Sequence, residues 1–157
     1  MDAFVQPLYE LADFDAIIRQ LKKPGIVQVS GCLDSQKAHF TNGLLREFPF
    51  RLIVAENDLK AKAFYEDFRL YDPEVLYYPA RDLIFYQADI HGNLLTRQRI
   101  QVLRALLERE EVTIVTSIDS CLDCLVPLAV WKEKVIKIRN DSEIDLDRMK
   151  RHLVELG

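Results

Sequence analysis

With 157 residues, 49% of them hydrophobic, the chain is long enough for one domain, or for one domain and the start of a second, and apolar enough to bury a core. Its 21 basic and 25 acidic residues leave a formal net charge of −4, which excludes a sequence-wide field that attracts nucleic acid. No apolar run approaches the roughly 20 residues that span a bilayer, the amino terminus lacks the layout of a signal peptide, and three cysteines supply no disulfide framework, so the expected compartment is the reducing cytoplasm.

Residues 1–12 carry scattered apolar positions and Pro7, which predicts an irregular arm or a short helix. Phe14 to Lys23 reads as a helix capped by Asp13, with Phe14, Ile17, Ile18 and Leu21 on one face and Pro24-Gly25 as its stop. The run Ile26 to Ser30 predicts a first strand, followed by a loop and a helix over about Gln36 to Glu47. Arg51 to Ala55 predicts a second strand, and its lack of alternation predicts burial on both faces. A surface helix follows over Asn57 to Leu70, with Leu59, Ala63, Phe64 and Phe68 as its apolar positions. Val75 to Pro79 predicts a third strand, Ala80 to Gly92 a connector, and Leu94 to Arg109 a long helix with Ile100, Leu103, Leu106 and Leu107 facing inward. Val112 to Ser117 completes four strand units, and alternation of this kind implies a parallel sheet covered by helices on both sides. Beyond it the pattern changes to a short helix over Ile118 to Leu125, then Pro127, then an alternating strand over Lys134 to Arg139. A last helix is capped by Asp145 and lined by Met149, Leu153 and Leu156. The domain boundary is expected near Pro127.

The strand, loop and helix around Gly31 have the layout of a phosphate-binding loop. The working motif needs a first Gly, then Gly-Lys-Ser or Gly-Lys-Thr, because backbone amides wrap the phosphates and the hydroxyl holds magnesium. Gly31 and Lys37 keep that spacing, with Ser35 between them. Gln36, however, stands where the second Gly belongs, and Ala38 where the hydroxyl belongs. This is the architecture of a nucleotide-binding domain with the nucleotide chemistry removed.

Tyr77-Tyr78-Pro79-Ala80-Arg81-Asp82-Leu83-Ile84-Phe85-Tyr86, followed by Ile90-His91-Gly92-Asn93 and by Arg97 to Leu106, resembles the amino-terminal, UvrB-like region of the bacterial transcription-repair coupling factor family, Mfd. Trp131 to Gly157, with Lys137, Arg139, Glu143 and Ile144, resembles the entry into the second domain shared by that family and the excision-repair protein UvrB. The resemblance implies a three-layer α/β fold with a RecA/helicase-like parallel sheet and a degenerate phosphate loop. Residues 1–127 would correspond to UvrB domain 1a, and 128–157 to the beginning of the smaller α+β second domain, the UvrA-binding one, truncated. UvrB keeps a complete phosphate loop and carries a long insertion after the tyrosine-rich strand, which clamps damaged DNA. Here Gln36 and Ala38 break the loop, and only about a dozen residues separate Pro79 from Leu94. The resemblance therefore implies a non-catalytic adaptor module that supports UvrA recruitment in transcription-coupled nucleotide excision repair and helps mask that surface in the full-length protein. It implies no cofactor for this segment. ATP and magnesium, RNA polymerase and DNA are engaged by downstream domains, so the chain is expected to be a fragment of a longer protein. The alternative is a nucleotide-binding domain of an ATP-dependent DNA translocase or helicase whose loop still binds ATP, and a third reading is direct binding of damaged DNA.

Several residues carry both a chemical and a plain reading. Lys37 at a helix amino terminus can bind an anion or simply be solvated. Cys121 and Cys124 form a Cys-x-x-Cys that lacks the other two ligands of a structural zinc site, and two small apolar residues on a short helix account for it. Phe85, Tyr86 and His91 can stack on bases or pack the connector on the sheet edge. His39, His91 and His152 form no triad with a nucleophile. Asp119 reads as a cap or turn residue. The basic set Lys132, Lys134, Lys137, Arg139, Arg148, Lys150 and Arg151 is a solvated face by default. In the adaptor reading, Lys134, Lys137, Arg139, Arg148 and Arg151 are the candidates to meet acidic groups on UvrA.

Overall fold

A computed structural model describes residues 4–81, 89–136 and 145–155. The chain divides into two compact units, Met1–Asp123 and Cys124–Gly157.

The first unit is built on a three-stranded parallel sheet in the order β1-β3-β2, with β1 at Phe50–Ala55, β2 at Leu76–Tyr78 and β3 at Val112–Ser117. Its register sets Leu52 opposite Ile114 and Leu76 opposite the same residue from the other side, so β3 is the central strand. All six residues of β3 are buried, as expected for a strand with neighbours on both edges and helices on both faces. Ile53, Ala55 and Val115 face α2 (Asp34–Leu45) and α3 (Asp58–Phe68), and with Ala38, Ala61, Phe68 and Val75 they form one core layer. Ile114, Val112 and Tyr78 face α4 (Asp89–Glu108) and pack on Val102 and Ala105 in a second layer. The polar residues of β3 are satisfied within this core: Thr116 donates to the Tyr78 carbonyl at 2.9 Å and Thr113 to Asp72 at 2.7 Å.

The amino-terminal arm forms a short 3-10 turn, Gln6–Glu10, and α1 follows at Phe14–Leu21. Val5, Leu8, Phe14 and Ile18 pack with Phe40 and Leu44 of α2 in a third cluster. Gly43 of α2 makes that approach possible, because a β-carbon there would collide with Leu8 and touch Phe14 at 3.0 Å.

The structure corrects several expectations. Ile26 to Ser30 is not a strand; it has no ladder partner, and Ile26 is 95% exposed. The sheet among the described residues accordingly has three strands rather than four, and residues 26–30 pair with neither of its outer strands, β1 and β2. β1 is buried on one face only: Phe50, Leu52 and Val54 are exposed, since α4 covers β2 and β3 and leaves the outer strand open on that side. On α4 the inward residues are Arg99, Val102 and Ala105, whereas Ile100 and Leu106 are exposed and Leu103 and Leu107 half-buried. The sheet packs on the side of α4 that carries Val102 and the small Ala105. Leu59 of α3 is likewise exposed. Asp13 makes no side-chain cap, while Asn57 caps α3 by accepting from the Lys60 amide at 2.9 Å. After β3, α5 spans only Ile118–Cys121 and is capped by Ser117, not Asp119.

In the second unit, α6 occupies Leu128–Lys134 and α7 Leu146–Glu155. Lys134 therefore closes a helix instead of opening a strand; Val135 takes extended backbone, and the rest of the expected strand, 137–139, lies outside the described residues. Asp145 caps α7, accepting from the amides of Asp147 at 2.9 Å and Arg148 at 3.1 Å. No helix among the described residues is long and apolar enough to cross a membrane.

Candidate functional site

The segment 31–38, expected from the sequence as a degenerate phosphate loop, has one glycine turn followed by a helix whose first turn is occupied by its own side chains. Gly31 has φ +87°, a conformation that favours glycine, so the turn geometry of a first loop Gly is present. The helix, however, starts at Asp34, and its first turn is filled by its own side chains. Gln36 accepts from the Leu33 amide at 3.2 Å, the return half of a capping box. Lys37 Nζ donates to Asp34 Oδ1 at 2.6 Å. That hydrogen bond, together with the opposite charge, holds the Asp34 carboxyl below its ordinary range and the Lys37 ammonium above its own. A carboxylate in the first turn complements the helix dipole as a phosphate would. Ala38 is 2% exposed and belongs to the core beneath the sheet, so the position that would hold a magnesium-binding hydroxyl faces apolar side chains. Ser35 is exposed beside them.

At the carboxyl ends of the strands, where open parallel sheets bind ligands, polar groups are largely consumed internally. Asp58 Oδ1 accepts from the Ala80 amide at 3.1 Å and from Ser117 Oγ at 3.5 Å, and the Tyr77 hydroxyl donates to the Asp58 carbonyl at 3.4 Å. Burial and the Asp58 carboxylate push the Tyr77 phenol well above its usual range. On the other face Arg99, almost fully buried, donates from Nη1 to the Pro79 carbonyl at 2.8 Å and sets Nη2 2.8 Å from Asp123 Oδ2. Its guanidinium lies 4.2 Å from the centre of the Tyr78 ring. Burial raises the Tyr78 phenol as well.

At the opposite end of the sheet, Arg51, Asp72, Glu74, Arg109, Glu110, Glu111, Val112 and Thr113 line an open cleft of about 620 Å³. Arg51 is held there by the Phe48 carbonyl at 2.6 Å and by Asp72 and Glu111 at 3.7 and 3.5 Å.

Comparison with known proteins follows from this frame. No family model matches the chain. It is 25% identical over 134 residues to the transcription-repair-coupling factor of Staphylococcus epidermidis, covering 83% of this chain and 12% of that protein. It is 27% identical over 165 aligned positions to UvrABC system protein B of Treponema pallidum, covering 94% of this chain and 24% of that protein. With the same protein from Anaplasma phagocytophilum the identity is 32% over 120 residues, covering 67% of this chain and 18% of that one. The chain is similar to transcription-repair-coupling factor and to UvrB over most of its length. It spans about an eighth of the coupling factors and about a quarter or less of the UvrB proteins it matches. Identity does not rank the coupling factor above UvrB.

Of the basic residues expected to meet a partner, Arg148 and Arg151 are exposed on α7, where Arg151 donates to the Asp147 carbonyl at 3.3 Å. Lys134 ends α6, and Lys137 and Arg139 lie outside the described residues, as do Phe85 and Tyr86 and the side chains of His91 and His152. His39 is engaged structurally, stacked on Tyr71 and bonded to the Phe4 carbonyl at 2.5 Å. Cys121 and Cys124 are exposed free thiols, and no group of three or more metal-capable side chains occurs among the described residues. The sequence reading missed Asp34, Asp58, Arg99 and Asp123. The i,i+3 spacing of Asp34 and Lys37 was a legible signal for the first; no local spacing announces the others.

Proposed function

We propose that this chain is a non-catalytic adaptor module of a transcription-repair coupling factor, supporting UvrA recruitment in nucleotide excision repair. The observation that carries the reading is the similarity to transcription-repair-coupling factor and UvrABC system protein B over most of the chain. The short connector between Pro79 and Leu94, about a dozen residues, favours the coupling-factor assignment over a DNA-clamping one. The non-catalytic half is supported by Lys37 paired to Asp34 and Ala38 buried in the core. On this reading the segment holds no nucleotide, the first unit is a scaffold, and the exposed basic residues of α7 belong to the recruitment surface. RNA polymerase, DNA and ATP are handled by other parts of the full-length protein.

The test is a pair of titrations. Purified chain is titrated with magnesium-ATP and, separately, with UvrA, alongside an Arg148→Glu/Arg151→Glu variant. The expected result is no nucleotide binding, and UvrA binding that the charge reversal weakens. Nucleotide binding that depends on Lys37 overturns the adaptor account in favour of a working ATPase loop, and absence of UvrA binding overturns the recruitment account.

A further inference from the structure

We propose that the Arg99–Asp123 ion pair is a latch that holds the last turn of the first unit, and that opening it releases this segment without unfolding the sheet. Asp123 is the final residue of that unit, two positions after α5, and Cys124 begins the next. The Leu122 and Asp123 amides both donate to the Ser120 carbonyl, the latter at 3.4 Å, and the turn's side-chain anchor among the described residues is the Asp123 carboxylate. Its Oδ2 meets the buried Arg99 at 2.8 Å and the exposed Arg81 at 3.5 Å. Arg99 in turn grips the exit of β2, through the Pro79 carbonyl and the face of Tyr78. One guanidinium thus ties together α4, the end of β2 and the end of the unit, three segments far apart in sequence.

The pair is held by opposite charge at close range rather than by a saturated hydrogen-bond network. Arg99 Nη2 and Asp123 Oδ2 stand 2.8 Å apart without an aligned hydrogen bond, and the buried Tyr78 hydroxyl beside them has no well-aligned partner among the described residues. A buried network with unmet hydrogen-bonding capacity is held by charge more than by geometry, and removing one charge leaves the other stranded. The neighbouring residues offer little resistance to release. Leu122, Leu125 and Val126 are exposed, so the turn buries little apolar surface of its own. This inference is independent of the proposed function, since it needs neither UvrA nor nucleotide.

Asp123→Asn keeps the shape and removes the charge. The expected result is chymotrypsin cleavage at Leu122 and Leu125 faster by roughly tenfold, with faster amide exchange at α5 and Asp123, while β3 amides keep their protection. Arg99→Lys, which keeps a charge but has no planar fork to serve both Pro79 and Asp123, is expected to fall between that variant and the parent. Arg81→Gln, touching only the exposed side, is expected to change cleavage less than twofold. Unchanged cleavage in Asp123→Asn overturns the latch. So does an equal loss of protection in β3, which would make the pair a general stabiliser of the unit.

Discussion

Restoring the two missing letters of the phosphate motif should weaken the protein without giving it a nucleotide. In Gln36→Gly/Ala38→Thr, the first change removes the acceptor for the Leu33 amide and places glycine in the first turn of α2, together about 1 to 1.5 kcal/mol. The second adds a methyl and a hydroxyl at a side chain that is 2% exposed and packed among Ala61, Phe68, Val75 and Val115. An unpaired buried hydroxyl costs about 1 to 3 kcal/mol, and overfilling the site adds about 1 kcal/mol or more. The total is about 3 to 5 kcal/mol, or roughly 10 °C in melting temperature for a chain of this size. Thermal denaturation monitored by circular dichroism, with and without magnesium-ATP, reads both halves. A melting temperature equal to the parent's, or one that rises with nucleotide, refutes the claim that Ala38 faces the core and that the loop has lost its phosphate geometry.

Gly43→Ala gains about 1 kcal/mol of helix propensity but forces Leu8 aside, a cost of about 1 to 3 kcal/mol, so the melting temperature should fall by a few degrees; Leu8→Ala in the same chain should recover part of the loss, and a net rise would mean the arm does not pack on α2. Tyr78→Phe removes a buried hydroxyl with no well-aligned partner among the described residues and keeps the ring under Arg99, so denaturant unfolding at neutral pH should change by about 0.5 kcal/mol or less; a larger loss would reveal an unrecognised bond to that hydroxyl. The raised phenols of Tyr77 and Tyr78 stabilise the fold fully below the ordinary tyrosine range, near pH 10, and that contribution disappears as pH climbs toward the folded-state values. Stability should therefore decline above about pH 10, less steeply in Tyr77→Phe, and an unaltered slope would place the titration elsewhere. Leu52→Lys, on the open face of β1, should raise the concentration at which the chain stays monodisperse and leave its melting temperature within about 2 °C; a large drop would mean that face is covered.

Elements whose signal was local were legible. Phe14 and Ile18 sit at i and i+4 on α1, Asn57 precedes a helix as a cap should, and Asp145 does the same for α7. The strand character of residues 50–55, 76–78 and 112–117 follows from short apolar runs between helices, and the parallel sheet from their alternation with helices. What failed depended on neighbours. Nothing in the run from Ile26 to Ser30 says whether an edge is available to it, and nothing in α4 says that the sheet would choose the Arg99, Val102 and Ala105 stripe over the larger leucines. The Asp34–Lys37 pair had a legible i,i+3 spacing, whereas the placement of Ala38 in the core required coordinates, because it depends on where α2 begins and what it packs against.

The apolar residues left in water follow a rule of their own. A parallel strand with an unbroken apolar run is composed for burial on both faces, and β3 meets that condition at every position. β1 is more apolar than β3 yet less buried: its Arg51, Ile53 and Ala55 side is partly covered by α2, α3 and the Asp72 network, and its Phe50, Leu52 and Val54 side is exposed. Residues 26–30, which precede β1 and carry a strand-like sequence pattern, form no ladder. Composition records the environment a segment is suited to, whereas exposure records what surrounds it among the described residues. Where the two agree, as in β3, the fold is self-sufficient. Where they part, at Ile26, Phe50, Leu52 and Val54, each exposed side chain forgoes about 1 to 2 kcal/mol that burial would supply. A lone lysine in place of Leu52 would therefore cost the isolated chain little, yet would be costly wherever that face is buried.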